Sequence, residues 1–190
     1  MFLAGRLSHR WITVFRRGVP LAAAVLLCAC AKPYVQPTPG TLGAARQTRS
    51  YAVMEDGYRL ALSRWESAGN PNPHAVLLAL HGLNDYRRAF DNLGRYLARR
   101  DISVVAYDQR GFGATSGRGL WHGSQRLSAD LATMTALLRQ EYPGIPLYLL
   151  GESMGGAVAL ASLGSASLDV AGTILVAPAV WSRDSMPVYQ

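Results

Sequence analysis

Beyond residue 30 the sequence has no cysteine, since Cys28 and Cys30 are the only two. The part that can fold therefore carries neither an internal disulfide nor thiol chemistry. No grouping of His, Cys and carboxylate side chains has metal-ligand spacing; no cofactor is implied, and there is no internal repeat. Net charge is missing where a nucleic-acid binder would need it. Of the formal +7, seven positive charges (Arg6, Arg10, Arg16, Arg17, Lys32, Arg46 and Arg49) precede the first acidic residue, Glu55. Residues 51–190 then balance twelve Arg against twelve Asp plus Glu, so a nucleic-acid partner is excluded. Gly111-Phe112-Gly113 lacks the third glycine of a dinucleotide fingerprint, because Ser116 stands in its place.

Nor does any apolar run reach the roughly 20 residues that a membrane-spanning helix needs. The run Leu21 to Leu27 is shorter. With arginines before it and small residues after it, residues 1–30 read as an export signal. Leu27-Cys28-Ala29-Cys30 resembles a bacterial lipobox. Cys30 fits the lipidated position better than Cys28, because small Ala29 precedes it whereas bulky Leu27 precedes Cys28. An ordinary cleaved signal with two incidental cysteines is the alternative. Lipidation at Cys30 implies an anchor in the bacterial cell envelope and a membrane partner. Residues 31–50, with Pro33, Pro37, Pro39, Gly40 and Gly43, read as a flexible tether.

What is present from residue 51 onward is an alternation of strands and helices. Tyr51–Glu55 and Arg59–Glu66 flank Asp56-Gly57, a two-residue hairpin signal. Ala75–Leu80, Ile102–Tyr107, Ile145–Leu150 and Gly172–Ala177 are short continuous apolar runs, as expected of strands buried on both faces. Phe90, Leu93 and Leu97 recur at helical spacing, as do Leu127, Leu131, Met134 and Leu138. This pattern predicts a mostly parallel sheet with helices on both faces, and such sheets collect ligands at their strand carboxyl ends. Three motifs fall at those ends: His81-Gly82, Asp108-Gln109-Arg110-Gly111 and Gly151-Glu152-Ser153-Met154-Gly155.

The last of these is Gly-x-Ser-x-Gly, between a buried strand and a run of small helix-favouring residues. A serine on so tight a strand-to-helix turn needs glycines where a Cβ would collide with neighbouring backbone. The helix that follows aims free N–H groups and the positive end of its dipole at developing negative charge. Ser153 is the candidate nucleophile.

Together His81-Gly82-Leu83, Asp108-Gln109-Arg110-Gly111-Phe112-Gly113, Tyr142-Pro143-Gly144 and Gly151–Gly156 resemble the α/β-hydrolase superfamily, in particular its monoacylglycerol lipase and lysophospholipase group. The resemblance implies an α/β-hydrolase fold over residues 51–190 and a lipid-like ester substrate. It further implies an acyl-serine intermediate on Ser153 and an oxyanion hole at the N–H groups of Leu83 and Met154. The turn at His81 and Gly82 would shape that hole, and Asp85 would either face the alcohol part of the substrate or lie solvated in its loop. A thioesterase, acyltransferase or small-peptide hydrolase would use the same elbow. A lipid-anchored binding or relic protein without the chemistry is the reading from another class.

In this fold the serine is followed along the chain by an acid and then a histidine. Here no histidine follows Ser153, and Asp169 and Asp184 both fall at positions unsuited to the acid. His122 lies in a loop ahead of a helix, where histidines are more often structural. The expectation is a hydrolase domain lacking its lid and last strands, inactive by itself, with base and acid beyond Gln190.

Overall fold

A computed structural model describes residues 34–67, 70–165 and 168–181. Cys30, the expected signal and Asp184 lie outside them. The elements below belong to the compact unit Val35–Gln190. Seven strands form one sheet: β1 (Arg46–Gln47), β2 (Tyr51–Val53), β3 (Arg59–Trp65), β4 (Ala75–Leu80), β5 (Ile102–Tyr107), β6 (Leu147–Glu152) and β7 (Gly172–Val176). Their spatial order is β1-β2-β3-β5-β4-β6-β7. The helices are α1 (Asp91–Ala98), entered through a 3₁₀ turn at Arg87–Phe90, α2 (Ser124–Glu141) and α3 (Met154–Ser165). Among the described residues no helix is long and apolar enough to cross a membrane.

Parallel pairing of β5, β4, β6 and β7 makes the centre of the sheet, and β3 joins β5 antiparallel. Side-chain alternation along β4 serves both faces. Val76, Leu78 and Leu80 pack with Leu127, Leu131, Met134 and Leu138 of α2 and Val158 of α3. Leu77 and Ala79 face the other way, with Phe90, Leu93 and Leu97 around α1. Trp65 lies so close to α1 that a Cβ on Gly94 would come within 2.2 Å of its ring. The expected mostly parallel sheet covered by helices on both faces is therefore found.

Two local expectations are corrected. The hairpin loop holds three residues rather than two, with Met54 N–H donating to Tyr58 O at 2.9 Å and Gly57 at φ +77°. Asp56 in that loop accepts from the Tyr58 N–H and, more importantly, from Arg110 across the core, which draws the turn inward. The tether expectation also fails in part. Arg46–Gln47 forms β1 against β2, and Gln36 N–H donates to Trp121 O at 2.8 Å. Edge-strand backbone groups find partners there that a free tether would leave to water.

Candidate active site

Sheet register brings the three motifs together. Leu80 at the end of β4 is level with Tyr107 of β5 on one side and Gly151 of β6 on the other. The residues that follow, His81, Asp108 and Glu152-Ser153, thus leave the sheet at neighbouring points of one edge.

Ser153 has φ +48°, in the left-handed region that non-glycine residues seldom occupy. Surrounding groups hold it there. Its N–H donates to Val176 O at 2.9 Å, and its carbonyl accepts from Ala157 and Ala179. The flanking glycines are sterically required: a Cβ on Gly151 would lie 2.6 Å from Gly156 Cα, and one on Gly155 would lie 2.3 Å from Leu80 O. Gly82 abuts the serine, its would-be Cβ 3.4 Å from Ser153 Cβ. Met154, buried, opens α3, whereas Leu83 is 62% exposed on the turn after β4. Among the described residues neither the Leu83 nor the Met154 N–H has an acceptor. A hydroxyl next to two free main-chain donors is an arrangement able to attack a carbonyl and hold the resulting oxyanion.

His81 is fully buried, and both ring nitrogens and its carbonyl oxygen have partners. Its Nε2 accepts from the Gln109 N–H at 2.9 Å, its Nδ1 lies 2.8 Å from Gly82 O, and its carbonyl accepts from Gln109 Nε2 at 2.7 Å. Burial pushes its pKa below the ordinary 6.5, against the opposing pull of the Gly82 hydrogen bond and Asp108, so the ring is neutral. Asp85 lies on the wall of a crevice of about 540 Å³, with Tyr86, Arg87, Phe112 and Arg118. Its Oδ1 accepts from the Tyr86 N–H.

Sequence reading gave no role to two side chains that frame this edge. Asp108, fully buried, accepts from the Arg87 and Ala114 N–H groups, both at 2.7 Å, and pairs with the Arg87 guanidinium. It joins the loop after β4 to the loop after β5. A Cβ on Gly113 would collide with its carboxylate at 2.2 Å, which explains that glycine. Arg110, 2% exposed, reaches both Asp56 and Asp130 through paired hydrogen bonds of 2.8–3.1 Å and stacks on Tyr58 at 3.9 Å. Burial acts to lower its pKa, yet the hydrogen bonds it donates to Asp130 and Asp56 leave it raised. The available signal was the charged run Asp108-Gln109-Arg110 placed directly after a buried strand.

No described histidine hydrogen-bonds to Ser153. His74 precedes β4, at the opposite edge of the sheet, beside Asp101. His122 packs edge-on against Tyr58, and burial followed by the Arg110 charge lowers its pKa. Asp169 pairs with Arg139. No group of metal-ligating side chains occurs among the described residues.

Comparison with known proteins agrees with this fold. Residues 71–190 match the family described as serine aminopeptidase, S33. Human monoglyceride lipase is 30% identical over 138 residues, which are 70% of this chain and 44% of that protein. Monoacylglycerol lipase of Mycolicibacterium smegmatis is 23% identical over 146 residues, 76% of this chain and 51% of that protein. The chain thus spans about half the length of the curated relatives it matches. Among solved structures, an esterase from Exiguobacterium antarcticum superposes with TM-score 0.60 at 21% identity, covering 74% of this chain and 50% of the other. A soluble variant of monoglyceride lipase from Saccharomyces cerevisiae gives 0.57 at 24%, covering 75% and 48%.

Proposed function

The chain belongs to the family described as serine aminopeptidase, S33, with an α/β-hydrolase fold, and from that premise we propose that the whole protein hydrolyses carboxylic esters of lipid-like alcohols, of monoacylglycerol or lysophospholipid type. The observation that carries this reading is Ser153 held at φ +48° between glycines that tolerate no Cβ, beside the unengaged N–H groups of Leu83 and Met154. In the proposed reaction Ser153 Oγ attacks the ester carbonyl while a base outside the described residues takes its proton. The oxyanion is held by the Leu83 and Met154 N–H groups. The base returns the proton to the departing alcohol, and water then hydrolyses the acyl-serine. Asp85, on the crevice beside the oxyanion turn, is positioned to meet the alcohol part. Residues 34–181 by themselves bring no base to Ser153, so a fragment ending there is expected to be inactive.

The test is labelling by a fluorophosphonate together with turnover of a monoacylglycerol and of p-nitrophenyl butyrate, before and after Ser153→Ala. Loss of all three in the variant supports the reading. Absence of labelling in the unmodified, folded protein would favour a binding protein that keeps the fold without the chemistry. An aminoacyl p-nitroanilide, if turned over in preference to the esters, would move the substrate class to peptides. We extend the proposal to a lipid anchor on Cys30 in a bacterial envelope. Incorporation of labelled palmitate that disappears on Cys30→Ala checks it.

A further inference from the structure

We propose that His81 is a positioning residue that fixes the direction of the Leu83 N–H, and that Gln109 holds His81 in the one tautomer able to do so. The inference rests on the proposed role of Leu83 as an oxyanion donor. The Gln109 main-chain N–H donates to His81 Nε2 at 2.9 Å, so that nitrogen carries no proton. The single proton of the neutral ring is therefore on Nδ1, which donates to Gly82 O at 2.8 Å.

The Gly82 carbonyl and the Leu83 N–H belong to one planar trans peptide and point in opposite directions. Fixing the carbonyl against the buried ring turns the Leu83 N–H away from it. That peptide needs fixing. Gly82 lacks a side chain to restrain it, and Asn84 just beyond has φ +59°. The other donor to Gly82 O is the Asp85 N–H at 3.3 Å, a longer bond than the one from His81. If the peptide flipped, the developing oxyanion would meet a carbonyl oxygen instead of a donor.

The ring itself is held on two sides. Gln109 Nε2 donates to the His81 carbonyl at 2.7 Å, tying the end of β4 to the residue after Asp108. Phe112 packs edge-on to the imidazole, 5.7 Å between centroids and 71° between planes. His81 thus has no free lone pair or proton with which to act as a general base, and its role differs from that of a triad histidine.

Two measurements test this on the protein expressed in full from its own gene. The first is the tautomer, read by long-range ¹H–¹⁵N correlation on the unmodified protein and assigned with His81→Phe. A proton on Nδ1 and a bare Nε2 is expected; a proton on Nε2 with a bare Nδ1 overturns the proposal whether or not any variant folds. The second is steady-state turnover of p-nitrophenyl butyrate. His81→Phe keeps the ring's bulk but loses both hydrogen bonds, and should lower kcat about 10- to 100-fold with KM within about twofold, less than outright loss of an oxyanion donor. His81→Asn, whose amide can donate to Gly82 O from near the Nδ1 position, should recover about tenfold of that loss. Wild-type kcat in His81→Phe, or no recovery in His81→Asn, overturns the positioning role. Ser153→Ala runs alongside: full turnover in that variant defeats the serine reading itself and is told apart from a failure at His81, whose tautomer is measured without turnover.

Discussion

Strands β4 and β7 are both short apolar runs in the same sheet, yet they end in opposite environments. Val76 to Leu80 are 0–5% exposed, while Ile174, Leu175 and Val176 of β7 are 48%, 37% and 45% exposed. Their composition does not explain this. β4 has a strand on each side and helices over each face, whereas among the described residues β7 pairs on one side only, with β6. The contrast extends across the sheet. At the β3–β5 end, Arg110 joins the hairpin turn to α2 through Asp56 and Asp130, buried and fully paired. At the β6–β7 end, Val176 O holds the Ser153 N–H, so the exposed strand is also the one that braces the candidate nucleophile. One end of the sheet is tied by buried ion pairs, and the other carries the candidate nucleophile.

Ser153→Ala should separate the two ends most sharply. Turnover by the whole protein should fall about 10⁴-fold or more, as for a serine nucleophile that acts as a unit with its base. The unfolding midpoint should stay nearly unchanged, because among the described residues the lost hydroxyl has no hydrogen-bond partner. Kinetics and urea denaturation on the same preparation check both halves, and a large stability loss would break the contrast.

Arg110→Met should do the reverse. Removing the cation leaves Asp56 and Asp130 buried with only Arg126, 3.5 Å and 3.0 Å away, to offset their charge; breaking a buried pair in this way costs about 3–5 kcal/mol. Urea unfolding reads it, and adding Asp56→Asn and Asp130→Asn should restore part of the loss. Gly155→Ala lies at the junction of the two regions. Its Cβ would meet Leu80 O at 2.3 Å, and the backbone must shift, at about 1–3 kcal/mol for an overpacked site.

Acid should act on each end in its own range. Burial depresses the His81 pKa below 6.5, so the unfolded chain binds the proton more readily, and stability falls as pH drops below about 6.5. Burial would raise the Asp56 pKa, but the Arg110 hydrogen bond, the Tyr58 N–H and the Arg110 and Arg126 charges bring it net below 3.8. Its contribution is present above 3.8 and is lost as pH falls through the lower folded value. Thermal melts between pH 7 and pH 3 should show two successive losses, the first smaller in His81→Phe, with His122, whose pKa is also lowered, supplying the remainder. Smallest of all, in a fragment limited to residues 34–181, where Ile174 is 48% exposed, Ile174→Lys should change stability by less than about 0.5 kcal/mol yet lower aggregation by charging the β7 edge. Light scattering at matched concentration checks it.

Much of the fold was legible along the chain. The boundaries of β4 and β5 follow directly from the apolar runs Ala75–Leu80 and Ile102–Tyr107. The elbow was equally plain, since Gly151, Ser153 and Gly155 are needed by steric contacts within a few residues of one another and with the end of β4. Less was legible around the elbow. Asp56 read as a turn former, Asp108 and Arg110 as parts of a motif without a task, and His81 as a residue of the oxyanion turn. Arg110 meets partners 54 and 20 residues away, and His81 meets Gln109 28 residues on.

By itself, then, the sequence determined the strands from β2 onward and the helices, their order, and the strand-turn-helix that lifts Ser153, while β1 read as tether. Those features arise from side-chain periodicity and local sterics, which act over a few residues. Only the tertiary structure decided which charges are buried together and which groups surround His81. Each of these depends on sheet register and on the neighbours that packing supplies, and no local pattern carries that information.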